Sequence, residues 1–290
     1  MKPKRFIEHM SSIMFHPLSQ DNPWAAVVRY ARCQLGSRLL QAPVVVPFTD
    51  QAKLVVKTGM TGATCNIYTG LHDFPEMAFT AHLLRRGDHF VDVGANVGVY
   101  TVLAGAVAGA DCIAFEPATQ TFKALESNMA VNKLSADLRC AAVGASNGTV
   151  RFSEDRLDTT SHIAIGEENG VEVEMVTLDA SLPEVPTLLK IDVEGFEGAV
   201  LDGAERTLGS PELLAVIMET NGSGDRYGGG DDVLLNRMVE FGFRKYSYAP
   251  FERKLIPAID DKNTIFVKDV ARVSERLMTA TAFSVRGRSI

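Results

Sequence analysis

The chain has 290 residues, 46% of them hydrophobic and 22% charged, and a formal net charge of −7. This balance is that of a soluble globular protein with one large domain or two small ones. It argues against a nucleic-acid partner, because neutralising phosphates needs a basic face.

Residues 1–40 depart locally from that balance, with Lys2, Lys4, Arg5, Arg29, Arg32 and Arg38 against only Glu8 and Asp21. Residues 1–14 lack the apolar run of a signal peptide, and no later stretch reads as a membrane span, so a cytoplasmic location is expected. After the Asn22-Pro23 turn, Trp24–Leu40 places Val27, Val28, Ala31, Leu35 and Leu39 at helical spacing. Two readings stay open: a helix packed on the domain, or a basic helix touching the inner face of a membrane or a partner. Val44–Tyr68 is β-like, with Leu54–Val56 and Asn66–Tyr68 as short strands, and Phe74–Leu84 reads as a helix. Cys33, Cys65, Cys112 and Cys140 are widely spaced with no metal-type pairing, which suggests buried, reduced thiols.

From Phe90 onward strands and helices alternate, the pattern of a parallel sheet covered on both faces. Strand Phe90–Val93 feeds helix Val99–Ala108, strand Cys112–Phe115 feeds helix Thr119–Asn132, and Leu138–Val143 reads as a third strand. Two β-like runs, Thr149–Phe152 and Val171–Leu178, flank a polar loop. Alternation resumes with strand Leu188–Asp192, helix Gly198–Leu208, strand Leu213–Glu219 and helix Asp231–Phe241. Phe243–Tyr248 and Asn263–Val267 then form an antiparallel pair. The expected division is a helical extension over 1–50, a small β segment over 51–77 capping the site, a cofactor-binding domain over 78–268 and a tail over 269–290.

The first motif is Asp92-Val93-Gly94-Ala95-Asn96-Val97-Gly98, a strand running through a glycine turn into a helix. Such a turn aims backbone N–H groups at a nucleotide-like ligand. Asn96 stands where a dinucleotide fingerprint needs its second glycine, so a cofactor without a diphosphate is expected. Glu116 ends the second strand, 22 residues after Gly94, where a carboxylate can accept bonds from both ribose hydroxyls. Asp92 is read as pointing into the crevice, either to orient the loop or to meet a positive group on the ligand. Two carboxylates suit a sulfonium cofactor, S-adenosylmethionine, better than a phosphate-bearing one.

The second motif is Leu188–Glu197, in which Lys190, Asp192 and Glu194 share one strand face. Three charges on an internal strand need pairing or a function. A carboxylate there could position an acceptor hydroxyl or take its proton, with a Lys–Asp ion pair as the purely structural alternative. Asp192 is the first choice for a general base, and His72 and His162 are loop alternatives. Asp192, Glu194 and Glu219 could collect a divalent cation, but oxygen ligands leave no sharp signature and no metal is assigned.

These segments, with Phe115-Glu116-Pro117, Thr177-Leu178-Asp179 and Val200–Ala204, resemble the FkbM family of class I S-adenosylmethionine-dependent O-methyltransferases over about residues 60–268. His16-Pro17 and Tyr68–His72 are similar to one bacterial branch, in which a glutamate stands where this chain has Asp73. The resemblance implies a Rossmann-like α/β fold with a seven-stranded, mostly parallel sheet and an antiparallel last strand. It places Asp92, Gly94, Ala95, Asn96 and Gly98 at the methionine end, Glu116 and Pro117 at the ribose, and Ala142 and Val143 near the adenine. Asp192, Glu194 and Lys190 would face the acceptor, Asp192 also bordering the cofactor. Family acceptors are hydroxyls of sugars, glycolipids or polyketides. A nicotinamide-dependent oxidoreductase and an inactive nucleoside-binding module are the competing readings.

Overall fold

Alternation along the central strands decides the layers. Phe90 and Leu188 face one apolar cluster, while Val91, Val93, Leu189 and Ile191 face a second on the opposite side of the sheet. Helices Phe74–Leu83, Val99–Leu103 and Thr119–Asn132 cover the first face. Helices Glu197–Asp202, Glu205–Gly209 and Asp231–Glu240 cover the second. Each fully buried aliphatic or aromatic side chain contributes about 1.5–3 kcal/mol to this packing. The structure, a computed structural model, describes residues 3–40, 43–57, 61–153, 162–164, 170–220, 222, 230–258 and 263–290.

The central sheet has eight strands among the described residues. Their order is Lys254–Pro257, Arg244–Ala249, Asn263–Val267, Ala215–Glu219, Leu188–Ile191, His89–Val93, Asp111–Phe115 and Asp137–Arg139. The last five are mutually parallel. Asn263–Val267 is inserted antiparallel between Ala215–Glu219 and Arg244–Ala249, as the short connection implies. The expected seven strands are all present, and Lys254–Pro257 adds an eighth as an edge hairpin on Arg244–Ala249. The chain leaves His89–Val93 in one direction and returns to pair Leu188–Ile191 on its other side. This switch point opens a crevice at the strands' C-terminal ends.

Three local expectations are corrected. Leu138–Val143 is not one strand: Asp137–Arg139 ends the central sheet, and Ala142–Val143 joins a separate four-stranded sheet with Gly148–Ser153, His162–Ile163 and Val171–Val176. Asn66–Tyr68 lies in helix Thr61–Thr69, so the 51–77 segment is part strand and part helix. Residues 269–290 are no loose tail, since Val273, Leu277, Phe283, Val285 and Ile290 are buried. The Arg286 guanidinium donates to the Ile67 carbonyl at 2.7 Å, and Arg29 donates to the Tyr68 carbonyl at 3.0 and 3.1 Å. Two cations thus cap the C-terminus of helix Thr61–Thr69, where unsatisfied carbonyls favour positive charge.

The four cysteines form no disulfide; only Cys112 is buried, and Cys140 is exposed. Among the described residues, no helix is long and apolar enough to cross a membrane.

Candidate active site

The crevice between His89–Val93 and Leu188–Ile191 is an open cleft enclosing about 1170 Å³, its solvent-open part included. One flank of the cleft is the loop after His89–Val93. The Gly94 and Ala95 N–H groups donate to the Phe115 carbonyl at 3.0 and 2.9 Å, and that of Gly98 to the Ala95 carbonyl at 2.8 Å. The Asn96 N–H donates to Glu116 Oε2 at 2.9 Å, and that of Val97 to the Asn96 side chain at 2.7 Å. Every amide from 94 to 98 is therefore spent inside the protein. The loop does not aim free N–H groups at a ligand as its sequence suggests, and it offers no cradle for a phosphate.

Glycine is required at 94 for two reasons. Its φ is +74°, and an added Cβ would stand 1.9 Å from the Asp192 carbonyl oxygen. Gly98, also at positive φ, lies behind the cleft: a Cβ there would meet Leu125 at 2.2 Å, so it serves helix packing rather than the ligand.

Glu116 is buried, its Oε1 accepting from the Ala118 N–H at 2.9 Å while Oε2 accepts from Asn96. Each oxygen keeps a second lone pair, and the side chain lines the cleft. Burial pushes this carboxyl up to about 7 against the pull of the two N–H groups. Beyond Glu116 the walls are Phe115, Pro117, Ala142, Val143, Phe152 and Ile163, an apolar slot for a flat base. Toward the other end lie Gly94, Ala95, Asn96, Tyr100 and Asp192. A ribose acceptor, an apolar base slot, a polar end and no phosphate donors together fit S-adenosylmethionine.

Asp92 departs from its expected place. It is fully buried and does not line the cleft. Strand alternation puts it on the Phe90 face, under helix Val99–Leu103, where the Thr101 hydroxyl donates to its Oδ2 at 2.7 Å. Lys190, its neighbour on the adjacent strand, approaches Oδ1 at 3.8 Å and bonds Asp192 Oδ2 at 2.9 Å. The Lys190 ammonium also sits 4.9 Å from the centre of the Tyr100 ring. Burial alone would discharge Lys190, but Asp192 and Asp92 outweigh it and hold its pKa above the ordinary range. Burial raises the Asp92 carboxyl despite Lys190. Asp92 thus anchors the lysine that carries Asp192.

Asp192 and Glu194 reach the cleft, as does His72. His162 does not; on its two-residue strand the neighbouring Ile163 lines the cleft instead. Asp192, Glu194 and Glu219 bring carboxylate oxygens within 4.8 Å of one another. Burial first, then the charges of Asp192, Glu194 and Glu197, push Glu219 up to about 9, so a proton relieves their repulsion.

Sequence reasoning missed several contributors. Buried Glu197 accepts from the N–H groups of Val193 and Gly195 at 3.2 and 3.1 Å. It holds the turn in which Glu194 adopts φ +54°, a conformation costly for a non-glycine residue. Tyr100 donates to Asp73 at 3.4 Å, and Asn66 completes that end of the cleft, its side chain accepting from the His72 N–H at 2.8 Å. Phe152 arrives from the small sheet, whose packing has no local signature. The sequence also suggests that the stretches 144–170 and 221–230 shape the acceptor pocket; of these, 154–161, 165–169, 221 and 223–229 lie outside the described residues.

The model of the methyltransferase FkbM domain matches residues 92–245. None of the curated proteins matches the chain. Among solved structures, methyltransferase FkbM from Methylobacillus flagellatus is 14% identical with a TM-score of 0.43, over 91% of this chain and 59% of that one. This chain therefore spans less than two thirds of that relative. A Streptococcus thermophilus rRNA methylase is 14% identical at TM-score 0.41, covering 67% and 93% of the two chains. The Pyrococcus abyssi tRNA (uracil-54, C5)-methyltransferase, in complex with S-adenosyl-L-homocysteine, is 9% identical at 0.42, covering 78% and 43%. The domain match covers more than half of the chain and contains both the glycine loop and the Lys190–Asp192 strand, so the protein belongs to the FkbM methyltransferase family.

Proposed function

We propose that the protein transfers the methyl group to a hydroxyl of an uncharged acceptor, a sugar, glycolipid or polyketide-like alcohol. The observation that carries this reading is the Lys190–Asp192 pair, 2.9 Å apart and set in the cleft beside Gly94–Asn96. An alcohol is a weak nucleophile at neutral pH and needs a base as its new bond forms. Asp192, about one-third exposed at the cleft, is placed to take that proton, and Lys190 fixes its carboxylate. The acceptor side also carries Asp73 and Glu194, acids that disfavour a polyphosphate chain, while Glu219 behind them is held protonated. S-adenosylmethionine supplies an electrophilic methyl group. The chain's own share is alignment, which accounts for much of the rate in an in-line displacement.

The test incubates the full chain with methyl-labelled S-adenosylmethionine and a panel of neutral glycosides, lipid-linked glycans and bulk RNA. Base-stable label on a glycan hydroxyl is expected. Label on RNA, or as a base-labile methyl ester, would overturn the acceptor class.

Cofactor binding should depend on pH through Glu116. Ribose hydroxyls donate to the ionised carboxylate, which is populated only as pH rises through about 7. Affinity for S-adenosylhomocysteine, measured by calorimetry, should therefore increase about tenfold from pH 6 to pH 8. Glu116→Gln should bind more weakly and show a flat profile.

A further inference from the structure

Helix Pro23–Leu40 is apolar on two sides, and the fold uses only one. Inward, Ala26 is fully buried, Tyr30 and Cys33 pack on the core, and Gln34 donates to the Tyr68 hydroxyl at 3.0 Å. Outward, Trp24, Val28 and Leu35 are 70%, 47% and 60% exposed, with exposed Ala31 between them. Positions 24, 28, 31 and 35 form one stripe along a helix. Phe15, at the end of helix Pro3–Phe15, is 76% exposed as well. Of the two readings open for this helix, packing on the domain accounts for the inward side, and the stripe faces away from it. A contiguous apolar stripe left at the surface marks an interaction face.

We propose that this face docks on an anionic lipid bilayer. Charge selects that occupant. Residues 1–40 hold six Lys/Arg against two acids in a chain of net charge −7; Arg29 is turned inward onto the Tyr68 carbonyl, and one of the acids, Asp21, is paired with Arg288 at 3.2 Å. Arg32 is exposed next to Ala31. Tryptophan with aliphatic residues on one face and basic residues beside them is the composition of an interfacial helix. A second copy of the chain would bring two basic segments together and repel. The same helix holds helix Thr61–Thr69 through Tyr68, and Asn66 of that helix lines the cleft. Docking therefore sets the active site beside the lipid surface, which deepens the proposed acceptor class toward a membrane-anchored hydroxyl. Vesicle binding is read without methyl transfer, so the two readings fail separately.

Trp24 is the sole tryptophan and serves as the probe. The full chain is mixed with phosphatidylcholine vesicles with or without phosphatidylglycerol. A blue shift of Trp24 emission and co-sedimentation are expected with the anionic vesicles, at least about tenfold weaker without them and weakened by salt. Trp24→Glu and Leu35→Glu should each abolish sedimentation without changing the thermal melt, since both side chains are exposed. Failure of the wild-type chain to bind anionic vesicles would overturn the proposal. So would a dimer in light scattering that Leu35→Glu dissolves while vesicles are ignored, because the face would then belong to a second copy.

Discussion

Replacing Asp192 by Asn is expected to lower kcat by about 10²- to 10⁴-fold, the usual contribution of a positioned base. The substitution keeps the side chain's shape and an oxygen for Lys190, whose ammonium lies 2.9 Å away. Affinity for S-adenosylhomocysteine should stay within a few-fold, because the ribose and base contacts rest on Glu116 and the apolar slot. Steady-state kinetics with a saturating acceptor, together with calorimetric titration, separates the two effects. Full turnover in Asp192→Asn would transfer the base role to His72, which lines the same cleft. His72→Gln would then show the loss instead.

Lys190→Met should destabilise the fold by about 3–5 kcal/mol at neutral pH, the range for removing one partner of a buried ion pair. Lys190 and Asp92 have side chains only 5% and 1% exposed, 3.8 Å apart on adjacent strands. Without the ammonium, Asp92 keeps the Thr101 hydroxyl but loses its counter-charge. Its pKa, already raised by burial, must rise further in the variant. A carboxyl with a raised folded pKa favours the protonated state, so the lost stability should return as pH falls and grow as it rises. Urea unfolding at several pH values reads this directly. The double variant Asp92→Asn with Lys190→Met should recover most of the loss, and a double-mutant cycle isolates the pair. A merely packed lysine would show neither the pH slope nor the rescue.

The same pair explains why parts of the site were hard to read along the chain. Periodicity placed Lys190, Asp192 and Glu194 on one strand face and recognised that three charges there need a reason. It could not say that Asp92 faces the same layer and meets Lys190, because register between strands is a property of the sheet. Asp92 was therefore read as a cofactor contact, when it supports one from below. Glu197 is parallel: its place in the motif was plain, but its bonds to the Val193 and Gly195 N–H groups follow from the turn it closes. Phe152, Ile163 and Asn66 reach the cleft from elements far apart in sequence, so no spacing announces them.

The amino-acid sequence by itself determined the strand–helix alternation, the inserted antiparallel strand, the absence of a diphosphate cradle and the acidic residue at the second strand's end. These are local consequences of apolar period, glycine placement and chain order, and the methyltransferase family is legible in them. Tertiary structure alone decided which carboxylates reach the cleft, since that depends on register and on which layer covers each face. It also decided the fate of helix Pro23–Leu40. The apolar spacing of Val28, Ala31 and Leu35 is visible in the sequence, but only packing shows that the domain occupies the other side and leaves this stripe, with Trp24, exposed. Periodicity reports that a face is apolar, whereas what covers it is settled by the neighbours that long-range contacts bring.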